Sequence, residues 1–229
     1  MNKLKVTTCA ISLLLTLVFA GRNVAAEDFI GTPDKLGRES GLAVALEKSI
    51  AKNYGLRFNT DYRSLDGELY FRLYEGSLIR YFKDDWSAML THRWYYVKGE
   101  NRSDWKLGNM SHVRIGKKIK TDRVDYAFRV AHEYFFGNIQ GHQHRTRFRA
   151  SLAPHRAFYR LKPFIANEIF YRHERARASR NWLSTGIEYY PSKTLKYYLY
   201  HRYETFETQE DKRSWNSSHG IFGGAYWRF

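Results

Sequence analysis

Arginines occupy every second position of one short stretch of the chain, the nine residues "HRTRFRASL" at 144–152. Arg145, Arg147 and Arg149 alternate there with small or apolar side chains. Successive side chains of a strand point to opposite faces, so a strand here would carry three guanidinium groups on one face. Guanidinium binds carboxylate and phosphate groups through paired hydrogen bonds. The stretch therefore predicts contact with anions, either within the chain or in a solute.

The same alternation puts further bases on a polar face elsewhere in the chain. The candidate anion-selecting residues are Arg72, Arg93, Arg114, Arg129, Arg145, Arg147, Arg149, Lys196 and Arg202. The acids that we assign to this face are Glu68, Asp125, Glu133, Glu188 and Glu204. Because the bases outnumber the acids, such a face in a narrow space would repel cations and concentrate anions.

Other reactive side chains form no recognisable site. The "HQH" at 142–144 would place two imidazoles on one side of a strand, but two ligands do not make a metal site. Ser151 and His155 come without a third group at the spacing of a catalytic triad. We therefore predict no metal, no cofactor and no catalytic residue.

The elements that must position these residues are strands. Apolar and polar residues alternate with a period of two, as in the strand that we predict at 68–82. The predicted strands lie near 40–50, 54–63, 68–82, 86–97, 105–118, 123–136, 142–152, 160–172, 181–190, 195–207 and 219–229. The pattern indicates an all-β, antiparallel protein whose strands each carry one apolar face, such as Leu56 and Phe58, and one polar face.

The amino terminus predicts export. Lys3 and Lys5 precede an apolar run at 10–20, which is too short for an ordinary membrane helix. The "VAA" at 24–26 is a small-residue cleavage pattern, and a cut after Ala20 also fits. These features are typical of a secretory signal peptide.

The predicted domain organisation is a signal peptide at 1–26 and a single domain at 27–229. The one cysteine, Cys9, lies in the signal, so the exported domain would have no thiol and no intramolecular disulfide. The net charge of +15 suggests an anionic partner. Export disfavours nucleic acid as that partner and leaves lipid headgroups or small anionic solutes.

The carboxyl terminus favours a bacterial outer-membrane barrel. In "GIFGGAYWRF" at 220–229, Ile221, Ala225, Trp227 and Phe229 fall on one face, and a terminal Phe is typical of the signal that such barrels present for assembly. Aromatic residues also cluster near strand ends, as interfacial girdles do. We therefore predict a monomeric transmembrane β-barrel in a Gram-negative outer membrane. It would contact lipid and lipopolysaccharide and bind the barrel-assembly machinery through Phe229.

The competing fold is a soluble sandwich or lipocalin-like barrel, whose apolar face points inward. Strand number follows from parity, because bacterial outer-membrane barrels have an even number of strands. Counting back from Phe229 requires one strand before 40–50, near 27–37, which gives twelve. Ten is the runner-up, because "ESGLAVALEKSIAK" at 39–52 also has helix-like spacing.

The hairpin-like stretch "GLAVALEKSIAKNYGLRFNTDYR" at 41–63, the chain length and the last strand resemble the small oligogalacturonate-specific and sialic-acid porins of enterobacterial outer membranes. The segments "RTRFRASL" and "KPFIANEIFYR", at 145–152 and 162–172, also resemble uncharacterised outer-membrane families with arginine-rich strands. The resemblance covers the barrel pattern across most of the chain, and its motifs are generic ones.

The sequence thus predicts a passive porin, not an enzyme, whose arginine-lined lumen selects small anions such as acidic oligosaccharides. One alternative is a closed structural barrel, in which Glu133, Glu168 and Glu204 pair with the arginines. Another is an outer-membrane enzyme of lipase or acyltransferase type, with Ser, His and acid side chains at a rim or on the lipid face.

Overall fold

The chain folds into one closed, all-β barrel in a computed structural model that describes residues 38–98, 104–136, 143–174, 176–207 and 215–229. Eleven strands build it. They are β1 (Arg38–Ala51), β2 (Tyr54–Leu65), β3 (Glu68–Tyr81), β4 (Trp86–Lys98), β5 (Trp105–Lys120), β6 (Val124–Phe136), β7 (Gln143–Pro154), β8 (Leu161–Arg172), β9 (Arg177–Tyr189), β10 (Leu195–Glu207) and β11 (Trp215–Arg228). No helix in these ranges is long and apolar enough to cross a membrane.

The strands form a simple meander, and the barrel closes between β1 and β11, the pair that we call the seam. Consecutive strands pair antiparallel throughout, whereas β1 and β11 pair in parallel, with Val44 opposite Ala225. The parity argument for twelve strands assumed an antiparallel closing pair, and a parallel pair removes that requirement. The count of twelve is therefore not confirmed. The strand predicted at 27–37 lies outside the described residues.

The segment that suggested ten strands is not a helix. Residues 39–52 had helix-like spacing, but β1 runs through them and pairs along its length with β2 and β11. Two flanking strands satisfy its backbone groups, and its small alternate residues Gly41, Ala43 and Ala45 suit a crowded inner wall. Pairing with neighbours thus overrides the local spacing.

The two ends of the barrel are named here by the residues that lie there. The Phe229 end holds the connections at 52–53, 82–85, 121–123, 155–160 and 190–194, and the Arg38 end holds the turn at 66–67. At the Arg38 end, Asp66 and Gly67 turn the chain between β2 and β3 with φ values of 52° and 86°. An Asp-Gly pair with positive φ at both positions is the two-residue turn that hairpins favour.

Apolar side chains cover the outside of the barrel and charged ones fill the inside. Leu42 and Leu199, each 60% exposed, lie on the outer surface with Leu56, Leu90 and Ile221. The inner face carries Glu133, 0% exposed, and other buried acids and arginines. A lipocalin-like barrel has the reverse arrangement, with its apolar face inside.

The inward and outward faces of β3 are the reverse of those that the sequence predicted. A register shift between Arg63 and Ser64 of β2 leaves Tyr70 and Phe71 both buried, and Leu73 and Ile79 then also point inward. Tyr70, Phe71 and Leu73 join an apolar cluster inside the barrel towards the Arg38 end. The cluster consists of Leu65, Tyr70, Phe71, Leu73, Tyr95, Met110 and Phe135.

Candidate functional site: the charged interior

The arginine row of β7 points into the barrel. Arg145 donates from Nε to Glu133 Oε2 at 2.6 Å, and Arg147 Nε lies 2.7 Å from Glu133 Oε1. Arg149 Nη1 donates to Glu168 Oε2 at 3.3 Å. The intervening side chains face outward, and Phe148 is 46% exposed. The three arginines of this row therefore form ion pairs with carboxylates of the barrel itself.

Glu168 on β8 is the most heavily shared of these carboxylates. Arg129 donates to its Oε1 at 2.7 Å, and Arg147 Nη1 lies 3.5 Å from the same oxygen. Arg149 reaches the other oxygen, so three guanidinium groups from β6 and β7 meet at one acid. Charge-assisted pairs of this kind are strong where water is scarce.

Two further predicted arginines lie in the interior, and each has an acid partner, Glu75 or Glu39, that the sequence analysis did not assign. Arg93 donates from Nε to Glu75 Oε2 at 3.0 Å. Arg202 contacts Glu39 and lies 3.7 Å from Glu204. The guanidinium of Arg202 also packs 4.0 Å from the centre of the Phe222 ring. A cation–π contact of this length adds to the ion pairs in a desolvated site.

Lys196 lies at the edge of a chamber at the Phe229 end of the lumen. Its Nζ donates to Glu188 Oε1 at 2.6 Å. The chamber has a volume of about 490 Å³ and is lined by Lys118, Lys120, Lys162, Tyr198 and Tyr200 among others. At its rim, burial and a hydrogen bond to Glu188 raise the pKa of Tyr190. Cations and tyrosine hydroxyls thus converge on this chamber, together with the acids Asp125 and Glu188.

Arg114 differs from the other predicted residues. Its Nη2 lies 2.8 Å from the sulfur of Met89, and it forms no salt bridge with a carboxylate in the described part of the chain. The neighbouring inward residue, His112, is 2% exposed, and neither ring nitrogen has a hydrogen-bond partner among the described residues.

The prediction for Arg72 is wrong. Its register partners Tyr62 and Tyr96 belong to the outward row, and its guanidinium lies 4.3 Å from the centre of the Trp105 ring. The reason is the reversed face of β3: the apolar side chains on its odd-numbered positions pack inside, so the even-numbered positions face out. Arg72 is therefore not a lumen residue.

The acids Glu39, Glu47 and Glu75 are interior residues that the sequence analysis missed. Glu47 lies opposite Arg57 across the first hairpin, and Arg57 donates to it from Nε at 2.9 Å. The turn at 52–53 alone would place Lys48 opposite Arg57, and a bulge between Ser49 and Ala51 shifts the register by one residue, so the pair could not be deduced from the turn. Glu75 was missed because it lies on the same face of β3 as the apolar residues at odd-numbered positions.

Metal and nucleophile chemistry find no support in the described residues. They contain no group of three or more His, Cys, Asp or Glu side chains arranged for a metal ion, and His142 lies outside them. His155 contacts Asp125 Oδ1 at 2.7 Å, whereas Ser151 donates to the carbonyl oxygen of Ala127 at 3.5 Å.

Comparison with known proteins gives no relative: the chain matches no protein-family model and no curated protein.

Proposed function

We propose that this chain is a membrane-spanning barrel of a Gram-negative outer membrane that conducts small anions. The outer surface supports the membrane part of the proposal. Leu42, Leu90, Val113, Ile115 and Leu199 are each more than half exposed, which is costly in water and favourable in lipid. Contiguous apolar surface of this extent marks an interaction with another apolar phase.

Cations stacked on outward aromatic rings support two interfacial levels on this surface. On β3, Arg72 lies by Trp105 at the Arg38 end, and Arg80 lies 4.9 Å from the Phe82 ring at the Phe229 end. Eight residues of strand separate the two arginines, about 26 Å along the strand. With the strand tilt of about 35–45° that such barrels have, this is about 20 Å along the membrane normal. The apolar band is about 25 Å tall, so long arginine side chains that extend outward could reach both headgroup layers.

The carboxyl-terminal residue and the predicted signal peptide support the same location. Phe229 is 55% exposed, and its backbone N–H donates to the carbonyl oxygen of Glu47 at 2.9 Å, so the ring is held outside the barrel. This is a suitable position for recognition by the assembly machinery. The predicted signal at 1–26 would supply export to the periplasm.

The excess of positive charge in the interior is the observation that carries the anion part of the proposal. After the carboxylates are paired, Arg114 and Lys118 form no salt bridge with any acid of the described residues. Both are on the inward face of β5, with Gly116 between them, and Lys118 lines the chamber at the Phe229 end. A low-dielectric path lined with uncompensated cations excludes cations and admits anions.

A closed structural barrel is the second candidate. Arg145, Arg147, Glu133 and Glu168 are all nearly excluded from solvent, which favours a sealed interior. Ion pairs at this density are expected where interior charges must compensate each other.

Planar-bilayer recording of the purified protein distinguishes the anion pore from the closed barrel. We expect a small conductance whose reversal potential in a salt gradient shows preference for anions. Absence of conductance would support the closed barrel, and preference for cations would contradict both the charge argument and the proposed function. A water-soluble, monodisperse protein that does not insert into lipid would remove the membrane part.

A further inference from the structure

The interior arginines around Arg114 are each matched to an acid. Arg129 lies 2.7 Å from Glu168, and Arg57 lies 2.5 Å from Glu47. Arg114 has only the thioether of Met89, which is a weak acceptor. A guanidinium keeps its charge at any pH that the protein meets. Glu75 attracts Arg114 without forming a salt bridge with it, and Glu75 is already paired with Arg93. An interior charge that is only partly compensated is unfavourable, so a bound anion beside Arg114 would be stabilised.

His112 adds a second unmatched group beside it. It is the inward-facing residue that precedes Arg114 on β5, and it is almost fully buried between Thr91 and Glu133 on the neighbouring strands. A neutral imidazole always carries one N–H donor, and in the described residues neither ring nitrogen has a partner. A buried donor without an acceptor is normally avoided, which makes this one informative.

The strand register concentrates positive charge at the same level. Arg114 on β5 and Arg147 on β7 both stand opposite Ala131 of β6. The side chain of Ala131 ends at Cβ and is 0% exposed, so the two long arginine side chains extend over it. Arg93 and Arg129 also act electrostatically on His112. The hydrogen-bond donors of Arg114 and His112 therefore lie at a level where positive charge accumulates. Among the described residues, the sulfur of Met89 is the one acceptor that they contact.

We infer that the barrel binds one small monovalent anion in mid-lumen, held by the guanidinium of Arg114 and the N–H of His112. The inference deepens the proposed anion conduction and rests on it for the route of entry. The ligand must accept hydrogen bonds from both groups and donate none. It must also be small, because Met89, Thr91 and Ala131 around the site are all buried. Chloride, nitrate and formate have this chemistry, whereas a bulky sugar acid does not.

Thermal unfolding of the full barrel in detergent tests the site without requiring conduction. The probe is chloride, compared at about 200 mM with the larger anion gluconate at equal ionic strength. A ligand that binds only the folded state raises the midpoint, and we expect chloride to raise it by roughly 3 °C over gluconate. In Arg114→Gln the midpoints in the two salts should coincide. In His112→Leu, which removes the second donor, the difference should fall to less than half.

Arg57→Gln is the matched control, since it removes an interior cation that already has a carboxylate partner at 2.5 Å, and Glu47 keeps its hydrogen bond from Tyr81. It should keep the full chloride effect. If chloride and gluconate give equal midpoints in the wild type, or if Arg114→Gln keeps the difference, the site is overturned. Should Arg114→Gln not fold, the His112→Leu result decides alone, and an undiminished effect there overturns the site.

Bilayer recording of the same preparations separates this inference from the proposed function. An anion-preferring conductance without a chloride effect on unfolding would overturn the mid-lumen site and leave the pore. A chloride effect that Arg114→Gln abolishes, in a barrel that does not conduct, would support the site and overturn the pore.

Discussion

A single carboxylate organises much of the interior at the residue scale. Glu168→Gln would leave Arg129, Arg147 and Arg149 without their shared acid. Removing one partner from a buried charge network is strongly destabilising, so we expect a loss of about 3 kcal/mol or more in the free energy of unfolding. Urea titration of the refolded barrel, followed by tryptophan fluorescence, measures the change.

Asp85→Asn is the control for Glu168→Gln. Asp85 pairs with Lys120, and both side chains are about half exposed. Exposed pairs contribute about 0–1 kcal/mol, so this variant should unfold nearly as the wild type does. Equal losses from the two variants would contradict the buried network.

Selectivity is best tested at Arg149. Replacing the whole row on β7 would strand Glu133, whose two partners are Arg145 and Arg147. Arg149 is the most exposed of the three arginines and shares Glu168 with others. Arg149→Ser should therefore fold, and it should lower the anion-to-cation permeability ratio by about two-fold through the loss of one lumen charge. The reversal potential in a salt gradient measures the ratio, and an unchanged value would assign Arg149 to structure alone.

Sequence could place most of the candidate arginines and could not supply their partners. Alternation alone puts Arg145, Arg147 and Arg149 on one face, and the structure has them there. Arg72 failed because the pattern shows which residues share a face, and not which face points inward. Arg114 gave no sign of being different, because its lack of an acid depends on strands that are far apart in sequence.

The closing seam is the element on which the strand count depends. The structure pairs Val44 of β1 with Ala225 of β11, both facing outward. Cysteines at these two positions should form a disulfide on mild oxidation, because paired residues in neighbouring strands are within bonding reach. A twelfth strand between β1 and β11 would hold them about twice the strand spacing apart, near 10 Å. Non-reducing electrophoresis after protease cleavage within a loop reads the cross-link.

Val44 and Thr60 provide the control pair, since they stand opposite each other in the first hairpin. This pair should cross-link in a barrel of either eleven or twelve strands. If the control pair links and the seam pair does not, the seam is wrong and a further strand lies between β1 and β11.

Strands were predictable where alternation is clean, and less so where packing departs from it. The eleven predicted segments correspond to the eleven strands of the structure, because the two faces meet environments of opposite polarity. The turn at Asp66 and Gly67 is likewise encoded locally. The register shift beside Tyr70 is not, because it depends on apolar side chains from β3, β4 and β5 packing together inside.

Tryptophans report the environment of the two faces at the scale of the whole molecule. Trp94 lies on the outside of the barrel and is 43% exposed, whereas Trp182 lies inside, 4.2 Å from the guanidinium of Arg202. In single-tryptophan variants reconstituted into vesicles, brominated acyl chains should quench Trp94 by half or more and Trp182 by much less. Acrylamide in the water phase should quench Trp94 weakly. Strong acrylamide quenching of Trp94 would contradict the membrane-spanning proposal.

The overall inside-out arrangement could be inferred only by combining weak signals. Alternation fits either a soluble or a membrane barrel, and the charge on the chain names no partner. The signal, the aromatic strand ends and Phe229 favoured a membrane barrel, and the transmembrane part of that prediction stays a prediction. What no pattern showed was how many arginines Glu39, Glu47 and Glu75 neutralise, since those pairs form only when the wall is closed.

The parallel seam also makes the barrel differ from a meander with an even number of strands: its first strand begins at one end and its last strand finishes at the other. Arg38 and Phe229 lie at opposite ends of the wall, because β1 and β11 run in the same direction. In the proposed membrane-spanning barrel, Arg38 and Phe229 would therefore lie on opposite sides of the membrane. Epitope tags inserted in turns at the two ends would then be reached from different compartments, and they would reveal the insertion direction in intact cells.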